Sequence, residues 1–230
     1  MPHDDLCVTV PGRRIDAVPF PAVAAIVPVT EVRRRPSPLT QLVDVRAVHA
    51  RRLWDSGWGH ARFQNFATYL LTIPPIPRPP VDVRFASLVL VDTSMRLTDA
   101  CRVLGLAYGG DDTVFEKFGS SHRVVVPVLA EVYWMWVQDG AENCGRTPFA
   151  CVHGFAAPNE AGLTAFEGVC FYALHPGVLG RHAIDCAASR LGSHPAYNAC
   201  LQIGDDGAPS LGVAEYCVAG PRRGAASKWV

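Results

Sequence analysis

The sequence predicts an α+β fold, and two patterns in its last third carry that prediction. Thr164 and Glu167 have the S/T-x-x-E spacing of a capping box, in which each side chain accepts a hydrogen bond from a backbone N–H at a helix start. Three β-prone runs follow, separated by glycine and proline: residues 183–189, 196–203 and 211–218. We therefore expect a helix packed on a three-stranded antiparallel meander, within a mixed or antiparallel sheet.

The elements before this unit are predicted from apolar spacing and from turn residues. Residues 18–30 are valine-rich but broken by prolines, which favours a first or edge strand. Residues 39–54 carry apolar side chains at helical spacing, which predicts an amphipathic helix with an arginine-rich outer face. Residues 62–73 fit a strand or a helix. Five prolines in residues 74–80 predict an extended connector.

The middle of the chain adds strands and short helices. Residues 84–92 predict a buried strand, and Thr98 then caps a short helix that ends at Gly109-Gly110. Residues 111–119 predict a further helical turn. The runs 123–137 and 149–157 predict strands, with a bulge or an edge position at Pro127. We expect residues 1–230 to form one domain with its proline-rich connector at 74–80.

Composition excludes several classes of protein. The 230 residues are 49% apolar and 18% charged, as in a soluble globular protein, and the formal net charge is zero. We therefore expect neither a nucleic-acid nor a membrane partner. No apolar run reaches the roughly 20 residues of a membrane span, and the N-terminus lacks the pattern of a signal peptide, so we expect a cytoplasmic protein. The oligomeric state stays open.

The sequence predicts no cofactor and no metal. It has no glycine-rich phosphate loop, no dinucleotide fingerprint and no zinc-protease or serine-hydrolase motif. The eight cysteines have irregular spacing without a CxxC pair, so we expect them to be mostly reduced and largely buried. A cysteine-dependent thiol enzyme stays an alternative, with Cys170 or Cys186 as the reactive thiol.

Two segments supply the candidate catalytic residues, His60 and His175. His60 lies in residues 54–66 among aromatic rings and amides, the mixture of a pocket with a few polar handles; Trp58, Phe63 and Gln64 are its predicted substrate-binding residues. A packed loop with satisfied polar groups is the alternative. His175 lies at the predicted helix end, where it either lines a pocket or caps the helix.

The predicted meander adds three candidate substrate-binding residues, Arg190, Asn198 and Gln202. Strict alternation in residues 196–203 places Asn198, Cys200 and Gln202 on one face of the sheet and the apolar side chains on the other. The polar face borders either a binding cleft or solvent. In a cleft, Arg190 would clamp a carboxylate or phosphate with two hydrogen bonds.

The last 70 residues carry several short elements in a fixed order. They are LTAFEG from Leu163, Pro176 with Leu179, Ser189-Arg190, and GAPSLG from Gly207. This pattern resembles the C-terminal half of a bacterial family known only as a domain of unknown function. Members tend to end in tryptophan-rich segments, whereas this chain has LGVAEYCVAGPRRG from Leu211. The resemblance implies the fold and, because the family has no known activity, no particular reaction.

These observations predict an enzyme that binds a fairly apolar small molecule and acts on it by acid–base chemistry without a cofactor. Cyclisation, isomerisation, elimination and hydrolysis all fit such a site. Abundant alanine, glycine and proline, with only two lysines, indicate a GC-rich bacterial genome, for which specialised metabolism is the expected setting. A non-catalytic small-molecule-binding or accessory protein is the principal alternative.

Overall fold

The computed structural model describes residues 38–108, 131–155, 159–191 and 194–229. These residues form an α+β fold with two sheets, which confirms the predicted class. Its helices are α1 (Pro38–Asp55), α2 (Phe66–Thr72), α3 (Leu97–Val103), α4 (Pro148–Gly154) and α5 (Ala165–Leu174). Short 3-10 turns occur at Ala141–Asn143 and Pro176–Gly180. The predicted strand at 18–30 and the predicted helical turn at 111–119 lie outside the described residues.

The strands divide into two sheets that share one hydrophobic core. The first sheet has the order β1 (Ser87–Asp92), β3 (Val132–Gln138), β9 (Ser227–Trp229) and β4 (Glu160–Gly162). The second has the order β2 (Ala107–Tyr108), β7 (Pro209–Glu215), β6 (His194–Ile203), β5 (Ala183–Leu191) and β8 (Arg223–Ala225). Side chains from both sheets and from α1, α3 and α5 meet in the main core cluster.

The predicted meander is present as β5, β6 and β7, paired antiparallel in chain order. The pairing of β5 with β6 has a register shift between Cys186 and Arg190, and β5 bends there. The third strand ends at Glu215, earlier than predicted, so Cys217 lies in the turn that follows it. Among the described residues, no helix is long and apolar enough to cross a membrane.

Helix α5 begins with the predicted capping box and lies between the two sheets. Thr164 Oγ1 accepts from the Glu167 backbone N–H at 3.2 Å, and Glu167 Oε2 accepts from that of Thr164 at 2.8 Å. A Cβ at Gly168 would lie 2.4 Å from Cys186 Sγ, so the missing side chain lets α5 approach β5 closely.

A buried network ties α5 to the centre of the first sheet. Glu167 Oε1 accepts hydrogen bonds from Tyr133 Oη on β3, at 2.8 Å, and from Lys228 Nζ on β9. Lys228 is 4% exposed and Glu167 is 2% exposed. Glu167 therefore has two roles. One carboxylate oxygen caps the helix, and the other neutralises the buried ammonium group of Lys228.

The arginines of α1 contact neighbouring elements, which modifies the predicted arginine-rich outer face. Arg46 is half-buried, and its guanidinium donates to the Leu70 and Ile73 carbonyl oxygens at the end of α2, at 2.7 and 2.6 Å. Arg52 is exposed overall, but its Nη1 donates to the Leu174 carbonyl oxygen at the end of α5. Both arginines satisfy carbonyl groups that a helix terminus leaves without a partner.

Two local predictions are wrong. Residues 149–157 were predicted as a strand, but Pro148–Gly154 form α4. The Thr147 side chain accepts from the Ala150 N–H at 3.0 Å, and Pro148 occupies the first turn, both of which favour a helix start. Helix α3 begins at Leu97, so Thr98 lies within it and Arg96 is the N-cap residue. In the ambiguous run 62–73, Phe66–Thr72 are helical behind the N-cap Asn65.

Candidate functional site

Side chains cover the outer edge of β1, which is the last strand of its sheet in the described part of the chain. Along β1, successive residues point their backbone N–H and C=O groups alternately toward β3 and away from it. The hydrogen bond from the Thr93 N–H to the Glu131 carbonyl oxygen shows that Thr93 and every second residue before it point toward β3. The backbone groups of Leu88 and Asp92 consequently point away from β3. Trp58 Nε1 donates to the Asp92 carbonyl oxygen at 2.9 Å, and His175 Nε2 lies 3.3 Å from the Leu88 carbonyl oxygen.

Two predicted site residues, Trp58 and His175, bind this edge at carbonyl groups four residues apart. Trp58 is fully buried, so its indole fixes the loop after α1 to β1. His175 is half-buried and ends α5, where its backbone N–H donates to the Phe171 carbonyl oxygen at 2.8 Å. The Cys170 thiol also hydrogen-bonds to the backbone of Asp92. Three side chains thus satisfy backbone groups that would otherwise attract another strand.

A second histidine, His49 of α1, packs against His175. The two rings are edge-on, with centroids 6.0 Å apart. The Trp134 ring lies 5.6 Å from that of His49, and the Phe171 ring lies 5.2 Å from that of His175. His49 is 9% exposed, and its Nδ1 has no hydrogen-bond partner among the described residues. We call His49 and His175 the histidine pair.

The surroundings of the histidine pair keep both rings neutral near pH 7. Burial, together with the smaller effects of His175 and Arg52, lowers the pKa of His49 from 6.5 to about 4. Burial also lowers the pKa of His175, against the effect of the Leu88 carbonyl oxygen and together with Arg52 and Arg181. Because a carbonyl oxygen only accepts, His175 Nε2 carries the ring proton and Nδ1 carries the lone pair.

The other residues predicted around His60 lie on or near the surface. The His60 side chain is exposed, with its ring 4.3 Å from that of Trp54. Phe63 packs on Tyr69 with ring centroids 5.7 Å apart, and Gln64 is exposed. His60 and His175 thus have different ring neighbours, and His60 is exposed whereas His175 is half-buried.

The predicted polar face of the second sheet exists, but its centre is buried. Asn198 is fully buried, and its Nδ2 donates to Asp185 Oδ1 at 3.0 Å. Arg223 Nε donates to Asp185 Oδ2 at 3.0 Å. Burial raises the pKa of Asp185, although Arg223 and Asn198 oppose this effect. The Asn198 amide thus joins a structural ion pair between β5 and β8.

Arg190 and Gln202 flank this buried ion pair on the same face. The Arg190 guanidinium lies 3.5 Å from the centre of the Tyr216 ring, a cation–π geometry. Gln202 is half-buried and pairs in register with Ser210 on β7. Of the three residues predicted to bind substrate here, Arg190 and Asn198 therefore lie opposite each other in register, with Gln202 farther along β6.

Sequence reasoning missed His49, Asp185, Arg223 and Lys228. A signal for His49 was present, because it lies four residues after Val45 and four before Leu53, on the apolar stripe of the predicted helix. Asp185 and Arg223 are 38 residues apart, and Glu167 and Lys228 are 61 apart. No local pattern reports such separations, so these pairs required the tertiary structure.

The described cysteines give little support to thiol chemistry. Cys217 is disulfide-bonded, and six others are free. Burial raises the pKa of five of these free thiols, namely Cys144, Cys151, Cys170, Cys186 and Cys200. A raised pKa keeps the thiol protonated at neutral pH, and the thiolate is the reactive form.

Neither a metal cluster nor a relative identifies the site. Within the described ranges, no group of three or more histidine, cysteine, aspartate or glutamate side chains is arranged to hold a metal ion. Comparison with protein-family models, with curated proteins and with solved structures found no match. The resemblance to a bacterial family of unknown function stays a prediction, and functional inference rests on the geometry of the histidine pair.

Proposed function

We propose that the protein binds a fairly apolar small molecule and removes a proton from it without a cofactor, with His175 as the base. One observation carries this proposal. His175 Nε2 donates to the Leu88 carbonyl oxygen, so Nδ1 of the same half-buried ring keeps its lone pair, and the pKa of the ring is lowered. A general base needs to be unprotonated at the working pH and fixed in orientation by a further group.

The charges near the histidine pair favour a reaction that forms an anion. The guanidinium groups of Arg52 and Arg181 both lower the pKa of His175, and no carboxylate among the described residues acts on this ring in the opposite direction. The same positive field stabilises negative charge on a substrate that has lost a proton. Isomerisation, elimination and cyclisation through such an anion fit this field, and so does hydrolysis through an anionic tetrahedral intermediate.

The neighbouring rings define the kind of substrate. Trp134 and Phe171, which are 8% and 1% exposed, make the surroundings of the histidine pair apolar, so a fairly apolar molecule fits beside the half-buried ring of His175 best. We propose bacterial specialised metabolism, in the cytoplasm, as the setting, because the composition indicates a GC-rich genome. If His175 binds a ligand without turnover, the protein is a binding or accessory protein instead.

The first experiment measures the reactivity of each histidine with diethyl pyrocarbonate, which modifies neutral imidazole, followed by peptide mass spectrometry at pH 5.5 and 7.5. An ordinary imidazole with a pKa near 6.5 loses about tenfold of its neutral fraction over this range. We expect His175 to lose clearly less, because its pKa is lowered. Absence of modification at His175 at both pH values would show that the ring is inaccessible and would contradict the proposal.

The second experiment screens a metabolite library by thermal shift and then follows each ligand for turnover. We expect His175→Gln to reduce turnover about 10²- to 10⁴-fold, the usual contribution of a general base. His60→Gln is the matched control, because this ring is exposed and packs elsewhere, and we expect it to retain activity. Ligand binding without product in the wild-type protein would favour the binding-protein alternative.

A further inference from the structure

Residues 75–83 present an apolar row to solvent. Five of the exposed side chains are apolar, and Arg78 among them is exposed and charged; the apolar ones are Pro75, Pro77, Pro79, Val81 and Val83. Val81 is 97% exposed and Val83 is 88% exposed, and Leu71, just before the row, is 82% exposed. The other exposed large apolar side chains of the described residues reach at most 49%. We call residues 75–83 the proline strip.

Contacts near its two ends hold the proline strip against the fold. Ile76 packs on the main core, and the Pro74 carbonyl oxygen accepts a hydrogen bond from Trp134 Nε1 at 2.8 Å. At the other end Asp82 is bound by Arg84, which also reaches Glu160 at 3.3 Å. The strip is therefore anchored at both ends, and its apolar row faces solvent in a fixed position, unlike the side chains of a loose loop.

The chemistry of the proline strip selects one mode of recognition. Prolines fix φ and lack an N–H, so residues 75–80 favour an extended conformation but cannot form a regular β-ladder with another strand; the chain then bends at Val81 and turns at Val83. Extended proline-rich segments are recognised by grooves lined with aromatic side chains, which pack on the rings and donate to the carbonyl groups. The contact between Trp134 and Pro74 is an example of this chemistry within the chain itself.

The narrow shape of the proline strip argues against a second copy of the chain as its occupant. Stable dimers bury roughly 800 Å² on each partner. A row one residue wide and nine residues long supplies much less when laid against an identical row. A groove encloses such a row on several sides and so buries more of it. We propose that the proline strip docks a protein partner through an aromatic-lined groove that recognises extended proline-rich segments.

The test measures binding of the full chain to purified SH3, WW and EVH1 domains, which have grooves of this kind, by biolayer interferometry. We expect at least one domain to bind with a Kd in the micromolar range. The double variant Val81→Asp/Val83→Asp and the double variant Pro77→Ala/Pro79→Ala should each weaken binding at least about tenfold, because the lost contacts belong to the recognised row. Circular dichroism checks that both variants stay folded.

Val213→Asp is the matched control, because Val213 is 45% exposed and lies on β7. We expect this variant to bind as the wild type does. The proposal is overturned if none of the domains binds the wild-type chain, or if all three variants bind equally well. A dimer in light scattering that Val81→Asp/Val83→Asp converts to monomer would also overturn it, since the occupant would then be a second copy.

Discussion

The two ends of α5 hold buried polar groups of opposite character. At the first turn, Glu167 has three donors, namely the Thr164 N–H, Tyr133 Oη and Lys228 Nζ. At the C-terminal end of α5, both rings of the histidine pair are neutral, and His49 Nδ1 has no hydrogen-bond partner among the described residues. One end is a buried ion pair with three hydrogen bonds, and the other has an unprotonated ring nitrogen that can bind a proton.

This contrast separates a structural role from a chemical one. A buried carboxylate that already accepts three hydrogen bonds has little capacity left for a substrate, and removal of a partner leaves an unpaired charge. An uncharged ring with an open nitrogen can bind a proton, and its environment sets the pH at which it does so. The histidine pair is therefore the better candidate for chemistry, and Glu167 the better candidate for stability.

The largest expected effect comes from Lys228→Met, which leaves Glu167 buried without its cation. We expect the free energy of unfolding to fall by about 3–5 kcal/mol, as for other buried pairs that lose one partner. Urea denaturation of the variant and the wild type measures this difference. The double variant Lys228→Met/Glu167→Gln removes both charges and should lose less than the two single variants together. Additive losses would show that the two side chains do not interact.

The next effect is a loss of stability in acid caused by His49. The folded-state pKa is about 4 and the unfolded value is 6.5, so between these values the unfolded chain binds more protons. The contribution is complete above pH 6.5 and is lost as the pH falls toward 4, by about 3 kcal/mol at 1.36 kcal/mol per pKa unit. Urea denaturation from pH 7.5 to 4.5 measures the slope.

Two variants assign this slope to its source. His49→Phe keeps a ring beside Trp134 and should flatten the dependence between pH 6.5 and 4.5. His60→Gln changes an exposed ring and should leave the dependence as in the wild type. If the slope persists unchanged in His49→Phe, the acid sensitivity arises from other groups, and the lowered pKa of His49 is wrong.

The smallest of these effects concerns the contact between α5 and β5. Gly168→Ala places a Cβ within 2.4 Å of buried Cys186 Sγ, so the helix or the strand has to shift. We expect a loss of about 1–3 kcal/mol, typical of overpacking in a core. Gly177→Ala is the control, because nothing lies within 4 Å of its added Cβ. Equal thermal stability of both variants would mean that the interface near Gly168 adjusts freely.

Local patterns predicted the parts of the fold in which the signal and the structure lie close together in the chain. The capping box of Thr164 and Glu167 spans four residues, and both of its hydrogen bonds are present. The meander follows from alternating apolar side chains between turn residues. Helix α4 was missed although Thr147 and Pro148 carry start signals, because the apolar residues that follow are also β-prone.

The candidate site was predicted only in part, for a physical reason. His175 lies at a helix end that the sequence shows, but its partners Leu88 and His49 belong to β1 and α1. His60 was chosen for its aromatic neighbours, and the fold leaves it exposed. Composition around a histidine reports which residue types are near in sequence, whereas burial and pKa depend on which elements pack over the ring.

The sequence by itself determined the α+β class, the α5 helix start, the order of the meander strands and the extended geometry of the proline-rich segment. Capping, alternation and fixed proline φ angles act over a few residues, so each can be deduced from sequence alone. Only the tertiary structure decided that Lys228 neutralises Glu167, that His49 meets His175, and that Val81 and Val83 face solvent. Such contacts join distant segments, and their energies depend on burial, which a local pattern does not contain.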